Sequence, residues 1–150
     1  MRRHPRNFRR ANALIEMAIV LPVLSFLSLG LAEFGQYFYI NNAFEAAARD
    51  AARFGIPANA VKGDPAAAAT AALAAANIAF DSSWMNINDY SYSIGTITDV
   101  STVPMGHMLI FTISAKYSTL PGVYRPLSAI TGFGIGANKM IVAQCTMIKE

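Results

Sequence analysis

Glu16 is the residue whose position demands chemistry. It lies in RRANALIEMAIVLPVLSFLSLG, residues 9–30, within the most hydrophobic run of the chain, and no base inside that run can pair with it. An ionised acid near a bilayer core costs several kcal/mol on most scales, roughly 3 kcal/mol even on the lenient insertion scale. A carboxylate close to the end of an apolar helix can snorkel to the interface. It can also attract a cation strongly at low dielectric, which would make it one half of an ion pair.

The other chemistry-bearing residues converge poorly. His4 lies in a basic tail, and His107 follows Pro104-Met105-Gly106. No HExxH, paired-carboxylate or Ser-His-Asp pattern has local support, so His107 is expected to be structural or exposed. The single cysteine, Cys145, excludes an intrachain disulfide and the multi-cysteine zinc patterns. Strand parity puts it on an apolar face, as a buried small hydrophobe. The run GFGIG at 132–136 lacks the strand-to-helix transition and following lysine of a phosphate loop. Asp81, Asp89 and Asp99 are too scattered for a calcium loop. The expectation is a protein that is not an enzyme and needs neither metal nor cofactor.

Charge distribution narrows the class further. The chain has 150 residues, 54% hydrophobic and only 14% charged, richer in apolar residues than an ordinary soluble domain. Five of its twelve basic residues, Arg2, Arg3, Arg6, Arg9 and Arg10, fall in the first ten positions, which hold no acid. From residue 34 onward seven bases face seven acids. The basicity belongs to the tail, and nucleic acid is not an expected partner.

These residues need a helix to position them. Between Ala11 and Ile40 the charged residues are Glu16 and Glu33, and Met17 to Ala32 holds none. About 20 mostly apolar residues span a bilayer, which Ala13 to Ala32 supplies. A cleaved secretory signal has an apolar core of about 7 to 15 residues before its small-residue site. This core is longer and is followed by Phe34, Tyr37, Phe38 and Tyr39, so retention is expected, with a membrane segment at about 13–35. The preceding arginines keep the N-terminus in the cytoplasm, and Tyr37 and Tyr39 then fall near the outer interface. Pro22 removes one backbone hydrogen bond inside the helix, marking a kink.

The helical pattern continues beyond the span. Phe34, Tyr37, Phe38, Phe44, Ala47, Ala48, Ala51 and Ala52 recur at three- and four-residue spacing, with Glu45 and Arg49 as an i,i+4 pair. Gly55 with Pro57 beyond it ends the helix. One helix over 12–54 would be about 65 Å long, some twice the membrane thickness. KGDPAAAATAALAAAN predicts a second helix from about 65 to 79, opened by Asp64-Pro65. Alternation predicts strands at 90–97, 107–118 and 139–148, and the Gly- and Pro-rich segment 121–136 reads as a connection with one helical turn. The fold class is therefore α+β: a long N-terminal helix packed on a small antiparallel sheet.

ALIEMAIVLPVL at 13–24, LGLAEFGQYFY at 29–39 and NNAFEAAARDAARFG at 41–55 resemble the TadE-like minor pilins, or pseudopilins, of the tight-adherence (Flp-type) pilus machinery, a branch of the type IV pilus superfamily. The terminal TMIKE matches more weakly. The resemblance implies a basic leader, residues 1–11, cut on the cytoplasmic side by a prepilin peptidase between Ala11 and Asn12, with Glu16 at the fifth mature position. Alanine stands before the cut where glycine is commoner. It also implies residence in the bacterial inner membrane as a single-pass protein with a pilin-like extracytoplasmic domain at 55–150, and partners among membrane lipid, other pilins and pilus assembly proteins. Such a subunit would initiate, cap or support an adhesive pilus and could enter the extracellular filament. Cutting after Ala11 would create an α-ammonium one helical turn from Glu16, able to pair with a neighbouring subunit's glutamate and set the helix register. The rivals are a signal-anchored extracytoplasmic binding module outside any filament, and a secreted enzyme whose apolar segment is only an export signal.

Overall fold

The computed structural model describes residues 6–57, 64–79, 85–88, 91–92, 95–96, 101, 103–117, 120, 123, 125–132, 134–136 and 138–150. His4, Asp81, Asp89 and Asp99 lie outside them. The chain is α+β, with a long apolar N-terminal helix and a small antiparallel sheet.

Helix α1 runs from Arg6 to Gly55, 50 residues in one element. Its residues 11–28 are exposed, and none of its most apolar stretch is buried within the protein. From residue 40 a buried stripe appears at helical spacing: Ile40, Phe44, Ala47, Ala48, Ala51 and Ala52. Full burial of Phe44 alone stabilises by about 2 kcal/mol. The exit of α1 is pinned by the stretch after β-strand residues 140–148, where the Glu150 N–H donates to the Ile56 carbonyl at 3.1 Å.

The chain forms two compact units. One comprises Met1–Gly35 with Arg125–Ile135; the other comprises Gln36–Tyr124 with Gly136–Glu150. In the second unit, helix α2 (Asp64–Ala75) buries Pro65, Ala69 and Leu73, four residues apart on one face. It stops earlier than the alanine run predicts, because Asn77 adopts a left-handed φ of 53°. The Ile78 N–H then turns back to the Leu73 carbonyl at 2.9 Å. The Tyr39 hydroxyl donates to the Ala76 carbonyl at 3.0 Å, tying this end to α1.

The main sheet has the order β1-β4-β5, built from β1 (Met85–Asn88), β4 (Met108–Lys116) and β5 (Met140–Ile148), all antiparallel. Central β4 buries Leu109, Phe111, Ile113 and Ala115, and Tyr117 just beyond it continues the row. In β5 the matching face buries Ile141 and Ala143 but only half-covers Cys145 and Met147. Cys145 is thus less enclosed than its parity suggests, since cover on this face thins toward the far end of the strand.

The continuous strand expected at 90–97 is a pair of short ones, β2 (Ser91–Tyr92) and β3 (Gly95–Thr96). Tyr92 pairs with Gly95, so the chain reverses between them. The third strand of the main sheet is MNIN at 85–88 instead.

The outer part of α1 covers β4. The Tyr37 ring meets Tyr117 edge-on at 5.4 Å, and the Gly55 backbone lies against the Phe111 ring. Because the contacts pair the early end of this helical stretch with the late end of the strand, the two run in opposite directions.

Candidate functional site

Ala11, Asn12, Glu16 and Pro22 lie on the N-terminal part of α1 and are exposed. Ala11 and Asn12 lie within the helix, so the bond between them is helical. Glu16 follows one turn after Asn12 and is also exposed. Among the described residues none hydrogen-bonds its carboxylate. Pro22 sits mid-helix, and its missing N–H deprives the Ala18 carbonyl of its usual i+4 donor. Just beyond, the Ser25 and Ser28 hydroxyls donate to the Leu21 and Leu24 carbonyls at 2.8 and 2.9 Å, which keeps both hydroxyls internally bonded in an apolar stretch.

A second carboxylate, not among the site residues read from the sequence, is held by three backbone donors in the first compact unit. Glu33 is fully buried, at 0% exposure. Its Oε2 accepts the backbone N–H groups of Leu127 at 3.0 Å and Ser128 at 3.1 Å, and its Oε1 accepts that of Ile135 at 3.1 Å. Leu127 and Ser128 belong to the first turn of helix α3 (Pro126–Thr131), whose early N–H groups have no partner within the helix. Glu33 therefore caps α3 from another element, with acid at the positive end of the helix.

The sequence around α3 prepares that cap. Pro126 opens the helix without needing its own donor, and Gly132 closes it in the left-handed region at φ 72°. The Gly132 N–H returns to the Ser128 carbonyl at 3.0 Å. Arg125 bridges the loop ends by donating from Nη2 to the Ile135 carbonyl at 2.8 Å. One sequence signal pointed here: an acid placed in an apolar helix with no base nearby needs donors from elsewhere.

His107 sits at the entrance to β4, where its backbone carbonyl accepts the Lys149 N–H at 2.9 Å. Among the described residues no three of His, Cys, Asp and Glu converge in a way that could hold a metal ion.

One exposed apolar helix of membrane-crossing length, running into an α+β head, fits a single-pass membrane protein. Residues 12–53, nearly all of α1, match the family model of TadE-like proteins. The match covers less than a third of the chain, and this segment is similar to TadE-like proteins. No significant match was found among curated proteins or among solved structures.

Proposed function

We infer that the protein is a structural minor pilin or pseudopilin of a Tad/Flp-type pilus, anchored in the bacterial inner membrane by residues 13–35 and assembled through the exposed half of α1. The observation that carries this reading is a TadE-like helix whose residues 11–28 are exposed while its outer part buries one stripe, Ile40, Phe44, Ala47, Ala48, Ala51 and Ala52. Apolar side chains from Leu14 to Leu27 remain exposed, so lipid or the helices of neighbouring subunits must cover them.

Prepilin peptidase cuts after Ala11 in this reading, and the family match starts at Asn12, the residue that would become the new N-terminus. The N-terminus is cytoplasmic and the head, residues 55–150, periplasmic. The role is structural, helping to initiate, cap or support an adhesive filament. The export-signal rival meets an obstacle in the core. A cut at Ala46-Ala47-Ala48 would fall where Ala47 and Ala48 are buried, and would strip Phe44 and Ile40 from the head.

Intact mass and N-terminal sequencing of membrane-extracted protein test the reading. A chain starting at Asn12 supports the pilin. A start at Met1 supports a permanent anchor, and a start near residues 47–49 supports an export signal.

A further inference from the structure

We propose that residues 125–135 form an interfacial foot, a short segment of the head's sequence seated in the outer headgroup layer of the bilayer and clamped to the spanning helix by Glu33. The proposal rests on the reading of α1 as a membrane span.

Height along α1 is the first argument. A hydrocarbon layer of about 30 Å takes about 20 helical residues, which Ala13 to Ala32 provides. The foot attaches at the top of that stretch. Leu127 Cδ2 lies 3.5 Å from where a Gly30 β-carbon would be, and Glu33 one turn later holds the three N–H groups. A segment fixed at Gly30 and Glu33 therefore lies where acyl chains give way to headgroups.

Backbone satisfaction is the second. In water the first N–H groups of a helix can be left to solvent, whereas near hydrocarbon each unsatisfied group costs several kcal/mol. Leu127, Ser128 and Ile135 donate to a buried carboxylate, and Gly132 donates to Ser128. The side chain of Ser128 also donates inward, to the Arg125 carbonyl at 3.3 Å. These donors therefore need no water.

Its outward chemistry agrees. Ile130 is 66% exposed and Ala129 is exposed beside it, and Leu27 and Leu31 on α1 are exposed as well. The segment RPLSAITGFGI carries one base, Arg125, and no acid. A short apolar helix with a basic start suits the boundary of an anionic lipid layer.

Site-directed spin labelling of the full chain tests this. With Cys145 replaced by Ser, single cysteines are introduced at Leu24, Ala129, Ile130 and Gln144, labelled, and reconstituted at low density in vesicles of phosphatidylethanolamine and phosphatidylglycerol. Accessibility to oxygen and to a water-soluble nickel complex is then compared. The foot predicts that labels at 129 and 130 favour oxygen, that 24 favours it more strongly, and that 144 favours nickel. Water-like labels at 129 and 130 with an immersed 24 overturn the foot and leave the span standing. A water-like 24 overturns the span and the foot together. A label at 130 shielded from both reagents means that protein covers this face, which also overturns lipid contact.

Discussion

Gly134 passes so close to Glu33 that a β-carbon there would fall 2.7 Å from Oε1, with Ser128 Cβ 3.2 Å away on another side. Its φ of +125° is one that residues with side chains rarely adopt. Gly134→Ala therefore strains the backbone and pushes against the carboxylate that holds the loop. The expected loss is about 1 to 3 kcal/mol in the stability of segment 125–135. Hydrogen exchange at the Ile135 amide should quicken by about five- to 150-fold, while amides of β4 keep their protection. Unchanged exchange at Ile135 would show that Gly134 is not needed for the clamp.

Glu33→Ala should do more harm than Glu33→Gln. Removal of the side chain leaves three backbone donors without their acceptor, on the order of 3 kcal/mol or more. Glutamine keeps the shape and one acceptor oxygen but turns an amide group toward one set of donors. Limited proteolysis across 125–135 and exchange at Leu127 and Ser128 report the difference. Because the obstacle at Gly134 is Glu33 itself, the double variant with Gly134→Ala and Glu33→Ala should cost less than the two single costs added. Simple additivity would sink the assignment of the clash.

Gly55 makes the corresponding close approach in the other compact unit. A β-carbon there would meet Phe111 Cζ at 2.5 Å and Cε2 at 3.2 Å. Gly55→Ala is expected to lower stability by about 1 to 3 kcal/mol through overpacking, read as a lower denaturation midpoint of the head with an unchanged slope. Phe111→Leu removes the ring atoms in question, so it should be less damaging in the Gly55→Ala background than in the wild type. A Gly55→Ala protein as stable as the parent would mean that helix and strand separate without cost.

How much of this was legible in the sequence depends on how locally each feature is written. The fold class was, because a long apolar run flowing into a 3.6-residue pattern is a strong signal, and the alternation of Leu109, Phe111, Ile113 and Ala115 matches their burial one for one. Gly55 and Pro57 mark the helix stop in residue types alone. The strand at Met85–Asn88 was missed because two apolar residues in four is too short a period to stand out, and its partner β4 determines it. Tyr92 and Gly95 misled in the opposite direction: their alternation survives a reversal of the chain between them. Glu33 was visible as an anomaly, but its donors lie about a hundred positions away and are backbone groups, which carry no residue signature.

The two carboxylates of α1 make opposite predictions, and the contrast isolates assembly from folding. Glu33 is spent within the subunit, its oxygens occupied by Leu127, Ser128 and Ile135. Glu16 is exposed among exposed neighbours and is placed where a new α-ammonium at Asn12 would lie one turn away. Among the described residues Glu16 has no hydrogen-bond partner to lose, and Glu16→Gln should insert in the membrane and keep the exchange protection of the head unchanged. What it removes is the low-dielectric attraction between one subunit's carboxylate and the next subunit's N-terminus. Photo-crosslinking from exposed position 24 to other pilins should fall about tenfold, equivalent to about 1.4 kcal/mol of association. A charge-preserving Glu16→Asp should recover part of that yield, because the shorter side chain keeps the sign and loses reach. If Glu16→Gln crosslinks as well as the parent, register is set by apolar packing alone and the carboxylate has no part in it.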